Sequence, residues 1–168
     1  LLDLTAIPGP GHNGGKMVID NNSKIFIIVG DVMADDKRTQ NYQNGKEPDG
    51  TGGILRIDPN NSSAGVGILG NKYPLNLYYA YGIRNGFGLD FDPVTGSLWD
   101  TENGPHYGDE INLVQPGFNS GWAKIQGIWP IINYSYLYFN TTSKGVNNSS
   151  IAPSKIKLED FGGKGKYS

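Results

Sequence analysis

Apolar residues in this chain come in short runs separated by Gly, Pro, Asn, Asp and Ser, and no segment sustains a helical period. That pattern predicts short strands joined by tight turns. Two segments line up at a fixed offset. Gly11-His12-Asn13-Gly14-Gly15-Lys16-Met17-Val18-Ile19-Asp20 and Ile83-Arg84-Asn85-Gly86-Phe87-Gly88-Leu89-Asp90-Phe91-Asp92 each carry a basic residue, then Asn-Gly, then a short strand ending in Asp. In the first unit a turn at Asn21-Asn22-Ser23 leads into a strand from Ile25 to Val29. In the second, Pro93-Val94-Thr95-Gly96 leads into a strand from Leu98 to Thr101. Each second strand ends in a loop carrying acid, Gly30-Asp31 and Glu102-Asn103-Gly104-Pro105. A third strand follows, Gly53 to Pro59 and Glu110 to Pro116.

A unit of antiparallel strands repeated along the chain is the pattern of β-propeller blades. The expected fold is therefore all-β, with residues 1–168 forming part of a single propeller domain and supplying about three of its blades. The repeat is longer than a plain blade of ~40–50 residues. The excess falls in Met33 to Thr51, a polar stretch that reads as an exposed loop insertion. A second loop is expected from Asn140 to Ser150, and a frayed Gly/Lys-rich tail after Phe161. A small complete β-sandwich is the alternative, but it leaves the repeat offset unexplained.

Composition agrees: 25 Gly and 10 Pro, with 10 Tyr, 6 Phe and 3 Trp, suit turns and half-buried strands. A net charge of -2 gives no reason to expect a nucleic-acid or anionic-membrane partner. No apolar run approaches the ~20 residues of a membrane span. The absence of cysteine excludes disulfides, thiol catalysis and thiolate metal sites. Asn-x-Ser/Thr sequons at Asn21, Asn60, Asn61, Asn133, Asn140, Asn147 and Asn148 point to an exported glycoprotein, whether periplasmic, secreted or on the cell surface. The opening Leu1-Leu2-Asp3-Leu4 reads as the end of a strand, not as a signal peptide, so further chain is expected before it.

The repeat puts His12 and Arg84 at equivalent positions just before the innermost strands, which line a propeller's central channel. It thereby brings both to one site from neighbouring blades. A lone loop histidine usually has no task, and a lone arginine usually sits in a surface salt bridge. The matched pair, with Asn85 beside Arg84, weighs against both readings.

Tyr79-Ala80-Tyr81-Gly82-Ile83-Arg84-Asn85-Gly86-Phe87-Gly88-Leu89, Thr101-Glu102-Asn103-Gly104-Pro105 and Gly108-Asp109-Glu110-Ile111-Asn112-Leu113 closely resemble the soluble glucose and aldose sugar dehydrogenases. So do Gly11-His12-Asn13-Gly14-Gly15, Ile28-Val29-Gly30-Asp31 and Gly117-Phe118-Asn119-Ser120-Gly121-Trp122. The resemblance covers most of Gly9 to Trp122; residues 123–168 match little. It implies a six-bladed propeller that uses pyrroloquinoline quinone (PQQ) and calcium. It further implies a small-molecule aldose as substrate, an external electron acceptor and, as a further possibility, a homodimer.

Roles follow from the resemblance residue by residue. His12 matches the general base that takes the proton of the anomeric hydroxyl as hydride passes to the quinone. A neutral imidazole near pH 7 suits that task. Asp31 matches the carboxylate that orients this histidine, although a turn residue after Gly30 is the competing reading. Arg84 matches the cation over the hydride-accepting carbonyl, and Asn85 a donor to the cofactor. Gly104 and Pro105 match backbone carbonyls that hold the cofactor's calcium, though Gly-Pro also makes simple turns. Glu110 matches a ligand of a second, structural calcium.

The chain departs from the pattern at Gly11, where glucose-oxidising members have a sugar-contacting Asp. It also departs at Ser120, where they have a Tyr whose carbonyl binds the second calcium, and at Gly86, where Pro is usual. The first departure favours a broader aldose preference, or another substrate, over glucose. The family's remaining basic cofactor residues come from other blades, so this chain holds about half a site and is expected to be inactive alone. Two other functions compete: a non-enzymatic extracellular propeller binding a protein or glycan, and a calcium-dependent hydrolase such as a lactonase. The first has no need of His12, Arg84 and Asn85 together, and the second would want more channel carboxylates.

Overall fold

A computed structural model of the chain describes residues 3–4, 11–33, 40–41, 48–61, 68–105 and 108–123. The expected loop at 140–150, the tail after Phe161 and the sequons at Asn133, Asn140, Asn147 and Asn148 lie outside the described residues.

Strands β1 (Met17–Ile19), β2 (Ile25–Val29), β3 (Gly53–Ile57) and β4 (Tyr78–Tyr81) form an antiparallel meander. Strands β5 (Gly86–Phe91), β6 (Leu98–Glu102) and β7 (Glu110–Val114) form a second one. The chain then returns to the first sheet, where β8 (Phe118–Asn119) lies parallel to β4. The two repeat units of the sequence are β1–β3 and β5–β7, with β4 added to the first, and each strand predicted within them appears within a few residues of its expected place.

The repeat's terminal aspartates explain its hairpins. Asp20 accepts the backbone N–H of Asn22 and Lys24, both at 2.8 Å. Asp92 accepts that of Val94 at 2.8 Å, and Gly96 supplies the positive φ of +70° that closes the turn. A carboxylate capping its own turn is the reason Asp recurs there.

The alternation in β2 sends its side chains into two cores. Phe26 and Ile28 face the second sheet and join Ile54, Ala80, Ile83, Leu89, Leu98 and Val114. Val29 faces the other way, onto Leu55, Leu77 and Tyr78. Phe26 is the keystone of the inter-sheet core. Its ring meets Tyr79 of its own sheet at 4.9 Å and Phe91 of the other at 5.3 Å, both edge-on. Phe26→Ala should therefore cost about 3–5 kcal/mol. A urea titration of the complete protein checks this; a loss under about 1 kcal/mol would show that the sheets do not depend on this contact.

Two expectations need correction. Asp3 and Leu4, read as part of a strand's end, are in no strand; Leu4 instead packs on the cluster around Leu55 and Leu77. Within the stretch Met33 to Thr51, the described residues 40–41 and 48–51 are not simply an exposed loop. Asn41 is buried and exchanges two side-chain hydrogen bonds of 2.8 Å with Asn119. Gln40 donates to the Thr51 carbonyl at 2.9 Å, and the buried Tyr78 hydroxyl donates to the same carbonyl at 2.7 Å. Polar composition misled because these amides are satisfied by partners far away in sequence. No helix among the described residues is long and apolar enough to cross a membrane.

Candidate active site

The two units meet at Gly30. A Cβ there would overlap the His12 carbonyl oxygen and approach the Arg84 carbonyl oxygen to 2.7 Å. The next residues stitch both segments in place: Asp31 N–H donates to Arg84 O at 2.8 Å and Val32 N–H to His12 O at 3.2 Å. The positions that the repeat matched are thus neighbours across one glycine.

Asp31 is buried and its carboxylate is fully engaged. Oδ1 meets His12 Nδ1 at 2.6 Å and accepts Met33 N–H at 3.0 Å, while Oδ2 accepts the Trp122 indole N–H at 2.8 Å. A carboxylate facing Nδ1 places the ring proton on that nitrogen and leaves Nε2 as the basic lone pair. The arrangement is chemically that of an oriented general base. Arg84 is fixed separately. Its Nη1 donates to Asn103 O at 2.9 Å, and its guanidinium carbon lies 5.2 Å from the centre of the Trp122 ring. His12, Asp31 and Arg84 are therefore brought together around Gly30 and Trp122. Asn85 is adjacent, its carbonyl accepting Asn103 N–H at 3.0 Å.

Gly104 and Pro105 continue from Asn103, and Gly104 N–H is held by Asp109 Oδ1 at 2.9 Å. Neither carbonyl oxygen accepts a hydrogen bond from another described residue. Glu110 belongs to a different cluster. It pairs in register with Glu102, and Asn112 with Asp100. The Ser120 hydroxyl donates to Glu102 Oε1 and lies 3.2 Å from Glu110 Oε2. Glu102 also accepts the backbone N–H of Arg84 at 3.0 Å. Among the described residues no group of three or more His, Asp or Glu is placed to enclose a metal ion. Any cation here would rely on backbone carbonyls and water in addition.

Burial pushes the Asp100 carboxyl up to about 7, with the Glu110 charge adding to the rise and the Asn112 amide opposing it. Glu102 is held well above the usual carboxylate range by burial, then by the charges of Asp100 and Glu110, against the hydrogen bonds from Ser120 and Arg84 N–H. A raised folded-state pKa means that the folded chain keeps protons the unfolded chain releases. The resulting stability is present in acid and lost as pH rises from about 4 through about 7. In the presence of a chelator, the urea midpoint of the complete protein should fall between pH 5 and 8. Asp100→Asn should flatten that slope; a midpoint rising with pH in the unsubstituted protein would contradict the assignment.

The sequence reading missed Glu102 and Trp122 as site residues. Glu102 had a signal: like Asp31 it is an acid at or just after the end of its unit's second strand, and each acid binds the segment holding its own unit's basic residue. Trp122 had none beyond its place in a motif, since its partner Asp31 is 91 residues away.

Fold and site together define an all-β blade-repeat protein of the propeller type, with an oriented histidine and a fixed cation where two blades meet. The family model described as Glucose / Sorbosone dehydrogenase matches residues 3–156, and the chain belongs to that family. It is 34% identical over 134 residues to the aldose sugar dehydrogenase YliI of Escherichia coli K12, covering 74% of this chain and 31% of that protein. It is 30% identical over 150 residues to quinoprotein glucose dehydrogenase B of Acinetobacter calcoaceticus, covering 79% and 30%. The PQQ-bound aldose sugar dehydrogenase of Streptomyces coelicolor superposes with a TM-score of 0.53 at 29% identity, over 69% of this chain and 31% of that one. The chain thus spans about a third of the length of the curated relatives it matches.

Proposed function

We propose that this chain contributes the base-bearing part of a quinoprotein sugar dehydrogenase that oxidises an aldose at its anomeric carbon. The observation that carries the reading is the His12–Asp31 pair at 2.6 Å, next to an Arg84 guanidinium fixed by Asn103 and Trp122.

The donor set fits PQQ and calcium. Arg84 offers a fixed cation to an anionic quinone, and Gly104 and Pro105 offer two adjacent carbonyl oxygens of the kind calcium takes among its 6–8 oxygen ligands. When bound, the cofactor supplies an ortho-quinone that accepts hydride from the anomeric carbon. His12 Nε2 takes the proton of the anomeric hydroxyl as that C–H bond breaks, and the product is the lactone. Asp31 keeps the ring in the accepting tautomer and stabilises the imidazolium that forms. Arg84 would stabilise negative charge developing on a bound quinone, which a fixed cation does without reorganising, and the Asn85 side chain would donate to the cofactor. Glu110, whose Oε2 lies 3.2 Å from the Ser120 hydroxyl, would hold a second, structural calcium. The exposed sequon positions Asn21, Asn60 and Asn61 support an extracytoplasmic location.

The test is steady-state dye reduction by the complete protein with PQQ and calcium across a panel of aldoses. Turnover with several aldoses is expected, without strong preference for glucose because Gly11 lacks a carboxylate. Turnover that persists after exhaustive removal of PQQ would contradict the reading.

A further inference from the structure

Trp122 stands where the base and the cation meet. It is 3% exposed and gripped through its main chain: its N–H donates to Gly82 O at 3.0 Å, and its carbonyl accepts Asn41 Nδ2 at 2.7 Å. With its backbone fixed, the side chain makes two contacts of different kinds. The indole N–H donates to Asp31 Oδ2 at 2.8 Å, and the ring lies against the Arg84 guanidinium, 5.2 Å from its centre.

We propose that Trp122 is a positioning residue that sets both the orientation of the His12–Asp31 base and the place of Arg84 relative to it. The inference rests on the functional reading above. The reasoning is geometric. A carboxylate held by His12 and Met33 at Oδ1 alone can still pivot about its Cβ–Cγ bond; a third donor at Oδ2 removes that freedom. The imidazole follows, because its Nδ1 is tied to the same carboxylate. Arg84 arrives from the second unit on a long flexible stem, and Asn103 O holds one of its nitrogens. The aromatic face, attracted to the cation, fixes the plane from the side. One buried ring therefore couples proton acceptor and charge stabiliser, contributed by two different sheets, to a single rigid anchor. It acts through His12 and Arg84, and no contact with substrate is required of it.

The two contacts can be separated. Trp122→Phe keeps the ring and removes the N–H, leaving Asp31 Oδ2 buried without its donor. Trp122→Leu removes both. In the complete protein loaded with PQQ and calcium, Trp122→Phe should lower kcat by about 10–100-fold with KM changed less than about threefold, the scale of a small misplacement of a reacting group. Combined with Asp31→Asn, it should cost little more than Asp31→Asn alone. Combined with the core variant Phe26→Leu, the two effects should multiply. Trp122→Leu should in addition weaken PQQ binding.

A spectroscopic readout stands apart from activity. The downfield Nδ1–H proton resonance of His12 should shift in Trp122→Phe, and the indole N–H resonance of Trp122 should shift in Asp31→Asn. The second holds even if Trp122→Phe does not fold. If the unsubstituted protein oxidises no aldose, the functional reading falls and these resonances alone decide the positioning role. An unmoved His12 resonance in a folded Trp122→Phe, an unmoved indole resonance in Asp31→Asn, or kinetic effects that multiply with Asp31→Asn would overturn the proposal.

Discussion

His12→Ala should lower kcat by about 10²–10⁴-fold while leaving PQQ and calcium binding intact. The magnitude is that of a general base lost from a site whose other parts remain. His12 touches the rest of the site through Asp31 Oδ1 and through its backbone carbonyl, and alanine keeps the second of these contacts. Arg84, Asn103 and the Gly104–Pro105 carbonyls do not depend on the imidazole, so cofactor affinity should change less than about threefold by the same reasoning of independent contacts. Asp31→Asn should approach the same loss by another route. An amide can present its NH₂ to Nδ1 and stabilise the tautomer that has its proton on Nε2, the wrong nitrogen for a base. Measuring kcat and cofactor affinity separately in both variants distinguishes loss of a base from loss of the site. A fall in affinity that parallels kcat would show that His12 is structural.

Gly30→Ala is expected to be among the most disruptive single methyls in the described chain. The added carbon has backbone on both sides, the carbonyls of His12 and Arg84, and neither can swing away as a side chain would. Room can come only from moving one segment off the other, which breaks the hydrogen bonds from Asp31 N–H to Arg84 O and from Val32 N–H to His12 O. A cost of about 3 kcal/mol or more follows from overpacking against a rigid frame. The same movement separates base from cation, so PQQ affinity should fall with stability. Gly96→Ala is the control. It sits at φ +70° with nothing within 4 Å of its would-be Cβ, and should cost only about 1 kcal/mol from backbone strain. Urea unfolding of both variants checks the contrast; equal losses would mean that the Gly30 junction is not tight.

Much of this frame was legible in the sequence because its logic is local. A short apolar run bounded by turn residues gives the strand. An Asp after the strand gives the capped hairpin, as Asp20 and Asp92 show. The offset between units then places His12 beside Arg84 without knowledge of any contact. What the sequence could not supply is pairing between distant segments. Strand β4, Tyr78–Tyr81, shows no alternation of polar and apolar types, because three of its four residues are tyrosines. Strand β8 has two residues and pairs in parallel with a strand far upstream, and no local pattern encodes such a match. Asn41 looked like solvent-facing loop until Asn119 and the Trp122 carbonyl were seen to satisfy it. The roles of the site residues divide in the same way: Glu102 lay in the repeat, and Trp122 did not.

The central claim is that His12 is the base of a PQQ-linked oxidation. The most direct measurement is the quinone absorbance of the complete protein, reconstituted with PQQ and calcium and then mixed with excess aldose in the absence of an electron acceptor. The account predicts rapid loss of the oxidised-quinone absorbance in the unsubstituted protein, and a slowing of that loss by about 10²–10⁴-fold in His12→Ala at unchanged cofactor occupancy. Loss of absorbance at the same rate in both proteins would contradict it.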